Sequence, residues 1–183
     1  MYLGAAIEHA SGKSFYDYLD EAVFKPAGMT QTDTPPHDVD MKGRAFGYIK
    51  PPGTREWGSA AKHLDYRADG AGGAWSTADD LARFLTALRT NRLLDEQHTK
   101  LMLSPKAEAW KGRNYGYGVW IESYPWMGLT IGGVGGEMGS NSEAWILPDS
   151  GYQVVVLSNF DPGAAIVVSE FIRARLPDPK RKE

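Results

Sequence analysis

The run Ser59-Ala60-Ala61-Lys62 sets a hydroxyl and an amine three residues apart, a spacing that one helical turn brings side by side. A serine and a lysine so placed can pass a proton between them, which is the chemistry of a hydroxyl activated to attack an acyl carbon. The chain holds 11 serines and 10 lysines in 183 residues. Chance alone therefore supplies about 0.6 such spacings, and the match by itself assigns nothing. A second group, Gly133-Val134-Gly135-Gly136, offers main chain with little side-chain bulk. A phosphate cradle would need a helix to begin at these glycines. Residues of strand character follow instead, which argues against it.

Composition narrows the alternatives. There is no cysteine, so thiol catalysis, disulfides and thiolate metal sites are excluded, while the redox compartment stays open. His9, His37, His63 and His98 lack metal-ligand spacing, and no metal or other cofactor is expected. The formal charge is −3 and the only basic run is Lys180 to Lys182, which gives no footprint for nucleic acid. No stretch approaches the roughly 20 apolar residues of a membrane span. Trp57, Tyr66, Trp75, Trp110, Tyr115, Tyr117, Trp120 and Trp126 could line an acyl or aryl pocket, although core packing accounts for most of them.

The elements that would position these groups follow from periodicity and caps. Leu3, Ala6, Ile7 and Ala10 space a helix that ends at Gly12, and Ser14 opens a second one that runs to about Phe24 before Pro26 and Gly28. Residues 30–73 read as a long polar loop, of the kind that is functional or disordered. Thr77 and Asp80 form an acidic variant of the capping box ahead of Leu81, Phe84, Leu85 and Leu88. A shorter helix is expected from Asp95 to Leu103. Strands are expected near Tyr117–Glu122, Leu129–Gly133, Glu143–Leu147 and Gln153–Ser158, the last two joined through Pro148-Asp149-Ser150-Gly151 as an antiparallel hairpin. A final helix from about Pro162 to Leu176 should turn Ala165, Val168, Ile172 and Leu176 toward the sheet. The class is α+β, with helices and loops over residues 1–113 and antiparallel strands plus a helix over 114–183.

Several segments, taken in order, resemble the serine β-lactamase and penicillin-binding-protein family, with its carboxypeptidases and esterases. They are Leu3-Gly4-Ala5-Ala6-Ile7-Glu8, Ser11-Gly12-Lys13-Ser14-Phe15, Phe24-Lys25-Pro26-Ala27-Gly28-Met29-Thr30 and Ala45-Phe46-Gly47-Tyr48. Further on come Gly72-Gly73-Ala74-Trp75-Ser76-Thr77-Ala78-Asp79-Asp80-Leu81, Tyr115-Gly116-Tyr117-Gly118, Gly135-Gly136-Glu137-Met138-Gly139 and Pro148-Asp149-Ser150-Gly151-Tyr152 with Val154 to Asn159. The resemblance implies one β-lactamase/transpeptidase-like domain over residues 1–183, an antiparallel sheet with flanking helices. It further implies acyl transfer by a serine on an SxxK helix, assisted by a YxN motif and a KTG or HxGG strand.

Carried onto this chain, that strand is Gly133-Val134-Gly135-Gly136. Gly136 N–H corresponds to an oxyanion donor, and Gly133, Val134, Gly135, Tyr115 and Tyr117 to substrate-facing positions. Gly133 stands where the family has Lys or His, and Val134 where it often has a hydroxyl. The SxxK and YxN motifs of the family lie upstream of the Leu3 segment, and no YxN occurs in this chain. Ser59 and Lys62 fall in a region that the family uses as a loop over the cleft. The expectation is therefore the C-terminal part of a serine hydrolase, lacking the N-terminal elements and inactive alone. The alternative is a naturally short, non-catalytic binding module or pseudoenzyme of the same fold. Expected partners are a small-molecule or peptide acyl substrate once the site is completed, and a complementing N-terminal fragment or further copies that cover exposed apolar faces.

Overall fold

In the computed structural model, which describes residues 2–36, 43–63, 67–110, 113–160 and 163–177, a helical layer packs on one face of a six-stranded sheet and the last helix packs on the other. His37, Tyr66, Pro162 and the Lys180 to Lys182 run lie outside the described residues.

Helix α1 (Tyr2–Ser11) ends where Gly12 predicts. Helix α2 (Phe15–Leu19) is capped by Ser14, whose Oγ accepts from Asp17 N at 3.1 Å. The chain then winds as a π-helical turn over Asp20–Phe24 and returns to α-helix as α3 (Lys25–Ala27). The expected stop at Phe24 is thus passed. A π turn displaces the carbonyl that an α turn would set against the Pro26 ring, so the helix absorbs the proline.

Part of the long polar stretch is ordered. Strands β1 (Tyr48–Ile49) and β2 (Gly58–Ser59) pair antiparallel, and a single 3-10 turn covers Ala61–His63. The stretch is pinned to the sheet by small residues. A Cβ on Gly47 would stand 2.7 Å from the Gly139 carbonyl oxygen, and one on Gly139 would stand 2.4 Å from the Ala60 methyl. Ala60 is fully buried there, and its N–H donates to Gly47 O at 2.9 Å.

Helix α4 (Ala78–Arg89) starts as its cap predicts, with Thr77 Oγ1 accepting from Asp80 N at 3.1 Å. The other half of the expected box is absent. The Asp80 carboxylate is fully buried and accepts from Gln31 N (2.7 Å), Thr32 Oγ1 (2.8 Å) and Arg83 Nη1 (2.6 Å). The segment after α3 brings donors that need an acceptor away from water, and Asp80 supplies it. Phe24, Ala27, Met29 and Ala87 form the core between these helices. Helix α5 (Glu96–Met102) follows, capped by Asp95.

The sheet takes strands in sequence order, all antiparallel: β3 (Ala107–Trp110), β4 (Arg113–Tyr115), β5 (Trp120–Tyr124), β6 (Gly128–Glu137), β7 (Ser140–Ile146) and β8 (Gln153–Ser158). β3 and β4 carry no alternation to announce them, and β3 is exposed throughout. β5 begins at Trp120 rather than Tyr117 because Gly116 N donates to Val119 O at 2.8 Å, folding those residues into a turn. The β7–β8 hairpin pairs Ile146 with Gln153, as its turn signature predicts.

Alternation along the strands sends Ile121, Ile131 and Ile146 to the α4 side, and Trp120, Glu122, Thr130, Glu143 and Trp145 to the other. Helix α6 (Ala164–Arg173) covers that second face, but of the expected stripe only Ala165 and Leu176 turn inward. Its buried residues are Ala165, Ser169 and Arg173, while Val168 is 45% exposed and Ile172 37%. Glu143, buried on β7, explains the rotation. Its carboxylate accepts from Trp145 Nε1 and lies 3.5 Å from Arg173 Nη2, and Arg173 stacks over the Trp145 ring at 4.4 Å. Turning Arg173 inward meets the buried acid. Burial pushes the Glu143 carboxyl up, outweighing the Trp145 donor and the guanidinium. The apolar side of α6, including Val167 and Phe171, is left facing outward with Tyr2 and Leu3 of α1. Uncovered apolar faces were expected, and these are where they lie.

Candidate active site

The glycine strand owes its exposure to a mismatch in strand length. β5 pairs with β6 only over Gly128 to Gly132, whereas β7 follows β6 to Glu137. Among the described residues, 133–137 therefore have a strand neighbour on one edge alone. The Gly135 carbonyl accepts from Asn141 Nδ2 (3.2 Å) and Ser142 Oγ (3.4 Å), both on β7, so it turns toward that strand. In an antiparallel ladder alternate residues turn their N–H and C=O to opposite edges. Val134 and Gly136 thus direct theirs to the open edge. Asn141 is a positioning residue that sequence reasoning missed: its Oδ1 also accepts from Ile166 N at 3.2 Å, tying the strand to the start of α6. The one signal for it was a polar residue at an inward position of a strand pattern.

Below this edge lies a groove of about 280 Å³ between the sheet, α4 and α5. Phe84, Leu85, Leu88, Leu103, Ile131 and Ile146 wall it, with Gly133 and Gly135 at its upper side. Among the described residues, Ser142 is the one polar side chain in its wall, and none is charged. A Cβ on Gly133 would meet no atom within 4 Å, so the missing side chain leaves space that nothing else fills. Val134 is 44% exposed.

Other residues singled out from the sequence distribute around this edge. Gly118 and Val119, which follow Tyr117, line the groove, and Tyr117 N donates to Met102 O at 3.2 Å. Tyr115 on β4 packs edge-on against Trp120 with ring centroids 4.8 Å apart, and Lys106 Nζ stands 5.7 Å from the Tyr117 ring centre. Ser59 belongs to β2, whereas Lys62 sits in the following 3-10 turn, so the pair does not share a helix face. Ser59 Oγ accepts from Ala61 N at 3.2 Å, and both side chains are exposed. Among the described residues no cluster of three His, Asp or Glu side chains could hold a metal, and no helix is long and apolar enough to cross a membrane.

The beta-lactamase family profile matches residues 1–176. The chain belongs to the beta-lactamase family. It is similar to the penicillin-binding protein of Bacillus halodurans, at 30% identity and a TM-score of 0.84, over 93% of this chain and 53% of that one. It is also similar to the octameric penicillin-binding protein homologue of Pyrococcus abyssi, at 25% identity and a TM-score of 0.81, over 94% and 40%. Penicillin-binding protein 4* of Bacillus subtilis is 27% identical over 171 residues, 86% of this chain and 37% of that protein. This beta-lactamase-family chain thus spans about half the length of these relatives, or less. The β-lactamase/transpeptidase-like fold expected from the motifs is the one it adopts.

Proposed function

We propose that this chain supplies the oxyanion strand of a serine acyl-transfer site acting on amide or ester carbonyls. The observation that carries the reading is the open edge at Gly136, whose N–H is free to meet a developing oxyanion while Gly135 is held by Asn141 and Ser142. The nucleophile comes from outside the residues of this chain, on an apolar helix seated in the uncharged groove beneath that edge. The groove's aliphatic and aromatic walls suit such a helix, and its position brings a residue on the helix beneath Gly136. Ser59 is a turn residue in this reading, because its Oγ is engaged with Ala61 N. The outward apolar side of α6 and the β8 edge suit a complementing N-terminal segment or another copy. The octameric Pyrococcus abyssi relative supports the second possibility.

Intact-mass measurement after exposure to a fluorophosphonate, and separately to a penicillin, tests the reading. The chain alone and Ser59→Ala should both stay unlabelled. A chimera carrying the upstream part of the Bacillus halodurans protein should acquire one adduct and lose it on Gly136→Pro, which removes the N–H. An adduct on the chain alone that disappears in Ser59→Ala overturns it. The space at Gly133, where among the described residues no side chain stands within 4 Å of a Cβ, favours a second reading as a non-catalytic binding module. An unlabelled, folded chimera would decide for that one.

A further inference from the structure

The hairpin of β1 and β2 carries a surface to which acyl transfer gives no part. Tyr48 pairs with Ser59 across the hairpin and bridges Phe160 just past the end of β8, so these three residues share one face. Lys50 and Trp57 join it: Lys50 Nζ stands 4.7 Å from the centre of the Trp57 ring, which meets Phe160 edge-on at 5.4 Å. Gly47, the residue before β1, faces the other way, toward Gly139 and the body of the fold. The aromatic face therefore looks outward. Trp57 is 47% exposed and Phe46, whose carbonyl is held by Asn159, 57%, with Tyr48 and Phe160 exposed beside them.

Charge on this segment runs against the rest of the chain. Between Lys50 and Lys62 the charged side chains, all exposed, are Lys50, Arg55 and Lys62 against Glu56 alone, whereas the whole chain carries a formal −3. The small polar side chains nearby are engaged locally: Ser59 Oγ accepts from Ala61 N, Asn159 Nδ2 donates to Phe46 O and Thr54 Oγ1 donates to Pro51 O. A sugar or a peptide needs directional partners, and these bonds use them up. Rings and positive charge are what the face offers. That combination suits the boundary of a bilayer, where Trp and Tyr rings sit at headgroup level and cations meet anionic lipid.

We propose that this face docks the protein on the surface of an anionic lipid bilayer, with Phe46, Tyr48, Trp57 and Phe160 entering the headgroup layer and Lys50 meeting the lipid anions. A chain of net negative charge is repelled by such a surface as a whole, so the attraction is local to this face. The proposal stands independently of the reading of Gly136.

Co-sedimentation of the full chain with phosphatidylcholine vesicles, with and without phosphatidylserine, tests this. A cation near the surface is worth about fivefold, so the surplus of two should make the anionic vesicles bind about 25-fold more tightly. The preference should shrink as salt rises, and Lys50→Glu, which cancels the surplus, should abolish it. Phe46→Ser combined with Trp57→Ser should weaken binding to both kinds of vesicle, while Phe171→Ser, on the apolar side of α6, should leave it unchanged. Equal binding to the two kinds of vesicle, no binding to either, or a loss in Phe171→Ser that the hairpin variants do not share overturns the proposal. The salt series on unaltered protein gives the answer even if a variant folds poorly.

Discussion

Replacing Asp80 with alanine should cost this protein much of its stability, and the size of the loss follows from three contacts. Asp80 is fully buried, and one of its oxygens accepts both Gln31 N and Thr32 Oγ1, while the other accepts Arg83 Nη1. Truncation leaves the Gln31 N–H without that acceptor, at about 1–3 kcal/mol, and costs the Thr32 hydroxyl one bond of about 1 kcal/mol, since Ser76 Oγ stands 2.8 Å away as an alternative partner. Arg83 is half-exposed and turns to water at little cost. The sum is about 3 kcal/mol, a large part of the roughly 5–15 kcal/mol that holds a domain together. Asp80→Asn keeps one oxygen for Gln31 and Thr32 and sets its amide against Arg83, so it should cost about 1–2 kcal/mol. Urea unfolding followed by tryptophan fluorescence measures both, with an unchanged m-value as the sign that only stability moved. The reasoning fails if alanine costs under about 1 kcal/mol, or if asparagine costs as much as alanine. A pH series adds a second check. Burial alone would push the Asp80 carboxyl up, but the bonds from Thr32, Gln31 and Arg83 outweigh it and hold the carboxyl below its ordinary range. Its contribution is therefore complete above the unfolded value of about 4 and is lost as pH falls through the lower folded value. Asp80→Asn should flatten that acid limb.

Three further outcomes follow from other parts of the fold. Gly132→Ala should destabilise by about 3 kcal/mol or more in thermal unfolding, because its Cβ would stand 2.1 Å from the Ala144 carbonyl oxygen and 2.8 Å from Trp145 Cα. Gly133→Ala, one residue on, meets nothing and should stay within about 0.5 kcal/mol of the parent; similar losses at both positions would contradict the register. Arg173→Met strands the buried Glu143 carboxylate and should cost about 3–5 kcal/mol near neutral pH. In the parent the raised Glu143 carboxyl binds a proton that the unfolded chain gives up, so stability should fall as pH rises from about 4.3 toward the folded value, and Glu143→Gln should abolish that slope. Phe171→Glu, on the outward side of α6, should leave the unfolding midpoint unchanged while lowering self-association in sedimentation, and a large loss of midpoint would mean that this side is packed inward.

Local signals along the chain reveal what local chemistry decides. Thr77 and Asp95 mark helix starts because a side-chain oxygen two or three residues ahead of free N–H groups has one obvious use. The β7–β8 hairpin shows in its turn residues and in the apolar runs on either side. Contacts distant in sequence stayed hidden. Val168 and Ile172 look like the inward stripe of α6 until Glu143, 30 residues away in β7, demands Arg173 beneath the helix. Asp80 reads as a cap residue, yet it serves Gln31 and Thr32, 49 and 48 positions earlier. At the candidate site, the glycine run was visible. Its openness was not, because that depends on β5 starting only at Trp120, opposite Gly132.

The meeting of Gly47, Ala60 and Gly139 also limits how this protein can diverge. Three residues from two distant segments share one small volume, and each leaves no room for the others to grow. Drift at these three positions must be concerted: a larger residue at any one needs backbone movement in both segments, and Gly139 lies only three residues from Gly136. Changes in loop length should accumulate instead between Pro51 and Glu56, in the exposed connection beyond the paired strands. A library built on this chain to change its substrate can vary that connection freely, but should keep positions 47, 60 and 139 small if the Gly136 edge is to stay in place.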